Sequence, residues 1–225
     1  MNVWAAQIEP LARTFRIIRY DTRGHGQSDV LAGATSLDRL GADVIDLADA
    51  LGLESFSFCG LSLGGMTAQW LGWRAPQRID KLIIANSSPF MGPPSSWQTR
   101  IDTVLEHGME AVGAAVIERW FTPEFRSDHT RVASILEMLL ATQPAGYAAC
   151  SAAIRDTDMR PCLELIRCPT LVIGGLKDPA TPVEHSRALA NGIAGAECEM
   201  LDAAHLSNIE QASAFTSALT GFLAR

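Results

Sequence analysis

The segment that most constrains this chain is Phe56-Ser57-Phe58-Cys59-Gly60-Leu61-Ser62-Leu63-Gly64-Gly65-Met66. An apolar run ends in Gly-x-Ser-x-Gly, and a buried helical pattern, Met66-Thr67-Ala68-Gln69-Trp70-Leu71, follows at once. A strand that turns this sharply into a helix holds one residue, Ser62, in a strained backbone at the top of the turn. Small residues at 60 and 64 are expected to leave room for the chain there. The next backbone N–H, that of Leu63, then stands at a helix N-terminus, where partial positive charge collects. A bare Gly-x-Ser-x-Gly occurs by chance, and its strand-then-helix context is what gives it weight.

The rest of the chain has to supply the sheet that such a turn needs. Residues 15–21 read as a strand, preceded by Trp4, Ile8 and Leu11 at helical spacing. Ser36 is placed to cap a helix with the stripe Leu37, Leu40, Val44, Leu47, Leu51, which Gly52 ends. Residues 56–61 and 81–86 are buried strands, with a helix over 63–74 between them. From 89 to 168 strand signals stop, and four helices are expected, near 97–105, 108–121, 130–141 and 146–155. Strands resume at 170–175 and 197–201, with helices at 182–191 and 210–223. This pattern predicts an α/β fold with a mainly parallel sheet and helices on both faces. The expected division is a core of 1–88 and 169–225, with 89–168 inserted as a helical lid.

Loops at the carboxyl ends of such strands carry function. Three of them here bear Ser62, Asp178 and His205, in that chain order. Serine, acid, histidine is a nucleophilic triad: His205 as base toward Ser62, Asp178 to orient the imidazole. Asp202 is a competing acid, but it lies three residues from His205 in the same loop. His25, in the turn Thr22-Arg23-Gly24-His25-Gly26, reads as structural. In the helical region, Trp120 is either pocket lining or ordinary packing.

Composition closes off other classes. With 225 residues, 48% hydrophobic and 19% charged, the chain suits one globular domain. Net charge of −7 disfavours nucleic acid as a partner. No stretch is long and apolar enough to span a membrane, and no basic-then-apolar leader opens the sequence. Five scattered cysteines read as reduced thiols of a cytoplasmic protein. No residue cluster has metal spacing, and neither metal nor cofactor is expected.

With these residues assembled, the chain resembles the 3-oxoadipate enol-lactonases among the α/β-hydrolases. The resemblance rests on 19–26, 60–66, Asp178-Pro179-Ala180-Thr181-Pro182 and 201–208. More particular to that family are Gly146-Tyr147-Ala148-Ala149-Cys150 and Ala153-Ile154-Arg155-Asp156. It implies Ser62, Asp178 and His205 as the triad, Leu63 N–H as an oxyanion donor, and a small lactone as substrate. Arg155 is then a candidate for the substrate carboxylate; its other reading is an ion pair with Asp156 or Asp158. The family also begins with strands ahead of Trp4, one of them lying between 16–21 and 56–61 in the sheet. The resemblance therefore implies a shortened sheet and the loss of a second oxyanion donor. Another esterase, a cofactor-free peroxidase, or an inactive binding protein are the alternatives.

Overall fold

The computed structural model describes residues 2–31 and 33–225. After a short turn at Asn2–Trp4 comes α1 (Ala5–Ala12), then α2 (Leu37–Ala50), β1 (Phe56–Leu61), α3 (Leu63–Arg74) and β2 (Ile79–Ala85). Five helices separate β2 from β3 (Thr170–Gly175): α4 (Pro94–His107), α5 (Glu110–Trp120), α6 (Pro123–Arg126), α7 (His129–Leu140) and α8 (Pro144–Arg155). The chain ends with α9 (Val183–Gly192), β4 (Glu197–Leu201), α10 (Ser207–Glu210) and α11 (Ala212–Leu223).

The four strands form one sheet in the order β1-β2-β3-β4, every pair parallel. Alternation along a strand sends neighbours to opposite faces, and the packing follows it. Leu82 and Ile84 of β2 and Val172 of β3 pack with Val44 of α2, Leu71 of α3 and Leu189 of α9. Ile83, Leu171 and Ile173 pack on the other face with Leu11 of α1 and with Phe215 and Leu219 of α11. Strands buried on both faces read as continuous apolar runs, which is why β2 and β3 were plain in the sequence.

Local signals hold at several ends. Ser36 Oγ accepts from Arg39 N at 3.2 Å, capping α2 as expected. Gly52, just beyond the helix, takes φ +67°. Two expectations need correction. Residues 16–20, expected as a strand, form no regular element, and among the described residues no backbone–backbone hydrogen bond reaches them. A strand pattern needs a neighbour to pair with, and β1 pairs only with β2. The helix expected over 210–223 breaks at Gln211 into α10 and α11.

Candidate active site

The turn from β1 into α3 has the expected strain. Ser62 sits at φ 57°, ψ −116°, a backbone state that a residue with a side chain rarely adopts. It is held by Ser62 N donating to Ala85 O (2.9 Å) and by Ser87 Oγ donating to Ser62 O (2.8 Å). A Cβ at Gly60 would lie 1.9 Å from Gly64 O, so only glycine fits there. The second crowded position is Gly65, where a Cβ would fall 2.5 Å from Ser87 Cβ; Gly64, expected to give this room, faces open space.

Asp178 and His205 come from different loops, after β3 and β4, and meet. His205 Nδ1 lies 2.8 Å from Asp178 Oδ2, with both side chains almost wholly buried. The carboxylate is densely solvated by the protein. Oδ1 accepts from Ala180 N (2.8 Å) and Thr181 N (2.9 Å), and Oδ2 from Thr181 Oγ1 (2.6 Å) and Asn86 Nδ2 (3.0 Å). Burial drives this carboxyl's pKa upward. The hydrogen bond and charge of His205, with the Thr181 donors, outweigh burial and hold it at about 2. Asp202 is elsewhere occupied, 2.9 Å from Lys177 Nζ on the surface. Ser62 Oγ makes no hydrogen bond among the described residues, and so none to the imidazole. Leu63 N–H, at the first turn of the twelve-residue α3, also has no acceptor among the described residues.

Two supporting residues escaped the sequence. Asn86, fully buried at φ +42°, donates to Asp178 Oδ2 and to Ala204 O (3.1 Å), and accepts from Ser207 Oγ. It thus ties the acid loop to the histidine loop. Its only sequence signal was an asparagine closing the buried apolar run 81–86. Glu210 receives Ala204 N (2.9 Å) through Oε2 and the Thr122 hydroxyl through Oε1. It joins the histidine loop to the turn after α5.

The remaining candidates divide. Trp120, half-buried, packs against the cluster containing Phe121 and Leu206, and its carbonyl accepts from Leu206 N at 3.0 Å. Arg155 pairs with Asp156 at 2.6 and 2.7 Å and also bonds Gln98. His25 is structural in its contacts: Nδ1 faces Arg23 O at 3.3 Å and Cys150 Sγ at 3.9 Å. All five cysteines are free. Among the described residues no group of three His, Cys, Asp or Glu side chains is placed to hold a metal. Among the described residues no helix is long and apolar enough to cross a membrane.

A strained serine between a parallel strand and a helix, with a buried acid–histidine pair at neighbouring strand ends, defines a class. A sequence model of the alpha/beta hydrolase fold matches residues 1–212, and the chain belongs to that family. Within it, 3-oxoadipate enol-lactonase 2 of Acinetobacter baylyi is 39% identical over 226 residues, covering 100% of this chain and 85% of the relative. The solved enol-lactonase of Burkholderia xenovorans LB400 superposes with a TM-score of 0.98 at 39% identity, over 100% of this chain and 86% of that one. A hydrolase from Pseudomonas aeruginosa superposes with a TM-score of 0.97 at 44% identity, over 100% and 85% of the two chains. The protein is a hydrolase of this family.

Proposed function

We propose that the chain opens 3-oxoadipate enol-lactone to 3-oxoadipate, a step of aromatic breakdown by the β-ketoadipate route, in the cytoplasm. The observation that carries the reading is the 2.8 Å contact between His205 and Asp178, tied by Asn86 to the end of β2, where the following residue, Ser87, bonds the strained Ser62, in a chain alike over its whole length to named enol-lactonases. Ser62 Oγ attacks the lactone carbonyl while His205 takes its proton. Leu63 N–H, at the positive end of α3, stabilises the developing oxyanion. Collapse expels the enol oxygen, which stays tethered because the ester is cyclic, and leaves an acyl-enzyme on Ser62. An enolate is a better leaving group than an alkoxide, and it takes from His205 the proton removed from Ser62, which returns the imidazole to its basic form. Water activated by His205 then releases the diacid.

In this reading the helices over 89–168 act as a lid, with Trp120 lining the pocket. The lactone's carboxylate needs a cation. Arg155 is held by Asp156 and Gln98, so its guanidinium reaches substrate only by leaving them. Arg119, one residue before Trp120, is better placed. It is half-buried, has no ion pair among the described residues, and interacts electrostatically with Asp178 and Tyr147; burial and the nearby Arg100 depress its pKa. A half-buried guanidinium with no ion pair among the described residues, within electrostatic reach of the triad's acid, suits an anionic substrate.

The test is turnover of the enol-lactone by the purified chain and by Ser62→Ala, with a neutral aryl ester as comparison. The proposal expects turnover of the lactone well above the ester, abolished in the variant. Turnover of the ester alone would make the chain an esterase; lactone binding without turnover would make it a binding protein.

A further inference from the structure

A base works only from a fixed place, and the backbone on both sides of His205 is tied to groups outside its loop. Ala204 N donates to Glu210 Oε2 at 2.9 Å, and Ala204 O accepts from Asn86 Nδ2 at 3.1 Å. Beyond the histidine, Leu206 N donates to Trp120 O at 3.0 Å. Residues 203–208 are all buried, so a bond lost here is not made good by water unless the loop moves.

Glu210 differs from the other anchors because its side chain is itself aimed. Oε1 accepts from the Thr122 hydroxyl, and Thr122 N points to the same atom at 3.4 Å. Thr122, buried in the turn from α5 to α6, is held in turn as the cap of α6, its hydroxyl oxygen accepting from Phe125 N at 3.3 Å. Inside the ring that Glu210 closes on Ala204, Ile209 N and Glu210 N both donate to Leu206 O, at 2.9 and 3.0 Å. His205 is the second residue of that ring. Glu210 makes no hydrogen bond to His205, Asp178 or Ser62 among the described residues, so its effect on the chemistry passes through the backbone.

We infer that Glu210 is a positioning residue for the base: with Thr122 aiming its carboxylate, it fixes the backbone at Ala204 and so holds the His205 imidazole where it can take the Ser62 proton. A strut that merely held the fold together would cost stability when removed and leave the folded protein fully reactive. A positioning residue costs reactivity in protein that stays folded. A displacement of about 1 Å near the reacting groups can cost about 10²-fold in rate. The inference rests on the triad of the proposed function, and not on its substrate.

The experiment uses the 225-residue chain and a fluorophosphonate, which labels an activated serine whatever ester the enzyme prefers. Ser62 Oγ forms the bond to phosphorus, fluoride leaves, and His205 holds the proton. Glu210→Ala is expected to slow labelling about 10²-fold at saturating probe, with half-saturation within a few-fold of the parent. Thr122→Val keeps the carboxylate but removes its aim, and should slow labelling by about tenfold. Glu210→Gln should restore most of the rate, because its amide oxygen can serve Ala204 N while its NH2 donates to the Thr122 oxygen. Proton NMR supplies a second readout, the far-downfield resonance of the Nδ1 proton between His205 and Asp178. It is expected in the parent and in Glu210→Gln, and shifted or lost in Glu210→Ala. Parental labelling with an unmoved resonance in folded Glu210→Ala would overturn the inference. Where that variant does not fold, parental labelling of Thr122→Val would do so. A parent that labels but leaves the enol-lactone intact removes the substrate reading and keeps this one, whereas a parent that does not label removes both.

Discussion

Asn86 Nδ2 stands 3.0 Å from Asp178 Oδ2, although 92 residues separate them in the chain. The same amide nitrogen reaches Ala204 O, beside His205. One buried side chain therefore sets the distance between the two loops whose side chains make the acid–histidine contact. Replacing it tests that role. Asn86→Ala is expected to destabilise the fold by about 1–3 kcal/mol, since it strands buried partners and keeps φ at +42° without the asparagine's local bonding. Asn86→Gly loses the same hydrogen bonds but relieves the backbone, and should recover about 1 kcal/mol of that. Urea unfolding of the two variants gives the difference. Equal stabilities would mean the backbone state carries no strain.

Ser62 makes the opposite trade. At φ 57° and ψ −116° its backbone suits glycine. Ser62→Gly is expected to raise stability by roughly 1 kcal/mol while lowering lactone turnover by on the order of 10³-fold or more. Thermal unfolding and single-substrate kinetics on one preparation check both halves. A variant less stable than the parent would show that the Ser62 side chain is worth more to the fold than its strain costs.

Asp178 makes stability depend on pH in a defined window. Its folded pKa, about 2, lies below the ordinary carboxylate value of 3.8. A depressed pKa stabilises the fold when the group is ionised. The contribution is therefore complete above about pH 4 and is lost as pH falls toward 2. It amounts to about 2 kcal/mol. Unfolding free energies measured from pH 5 to pH 2 should fall more steeply for the parent than for Asp178→Asn. Parallel curves would assign the acid sensitivity to other carboxylates.

Arg119 should separate binding from chemistry. If its guanidinium meets the substrate carboxylate, Arg119→Gln raises KM for the enol-lactone by about tenfold or more and leaves kcat within a few-fold. A neutral ester should be turned over by parent and variant alike. A matching loss on both substrates would indicate a role in shaping the site, and Arg155→Gln would become the next variant to measure.

Much of this architecture could be read from the chain, for physical reasons. Strands buried on both faces are continuous apolar runs, so 81–86 and 170–175 stood out, although β2 begins earlier, at Ile79. The elbow was legible because a glycine-serine-glycine turn between a strand and a helix has few other uses. Choosing Asp178 over Asp202 rested on loop position, and the structure puts Asp178 against His205 and Asp202 against Lys177. Residues 15–21 misled because strand propensity is a property of the segment, whereas a strand needs a partner. Asn86 and Glu210 stayed hidden because their bonds join places 92 and 88 residues apart, and no local pattern marks such a contact.

The Glu210 bridge bears on how the site opens. Its carboxylate holds Ala204 N next to the histidine and, at the same time, the Thr122 hydroxyl at the foot of the helical insertion. A swing of that insertion away from the core pulls on one end of this strut. It must either break the Thr122 contact or drag the imidazole's own loop with it. If the insertion is the proposed lid, admitting substrate and readying the base would be coupled through this one strut, and product departure would momentarily disarm the centre that made it.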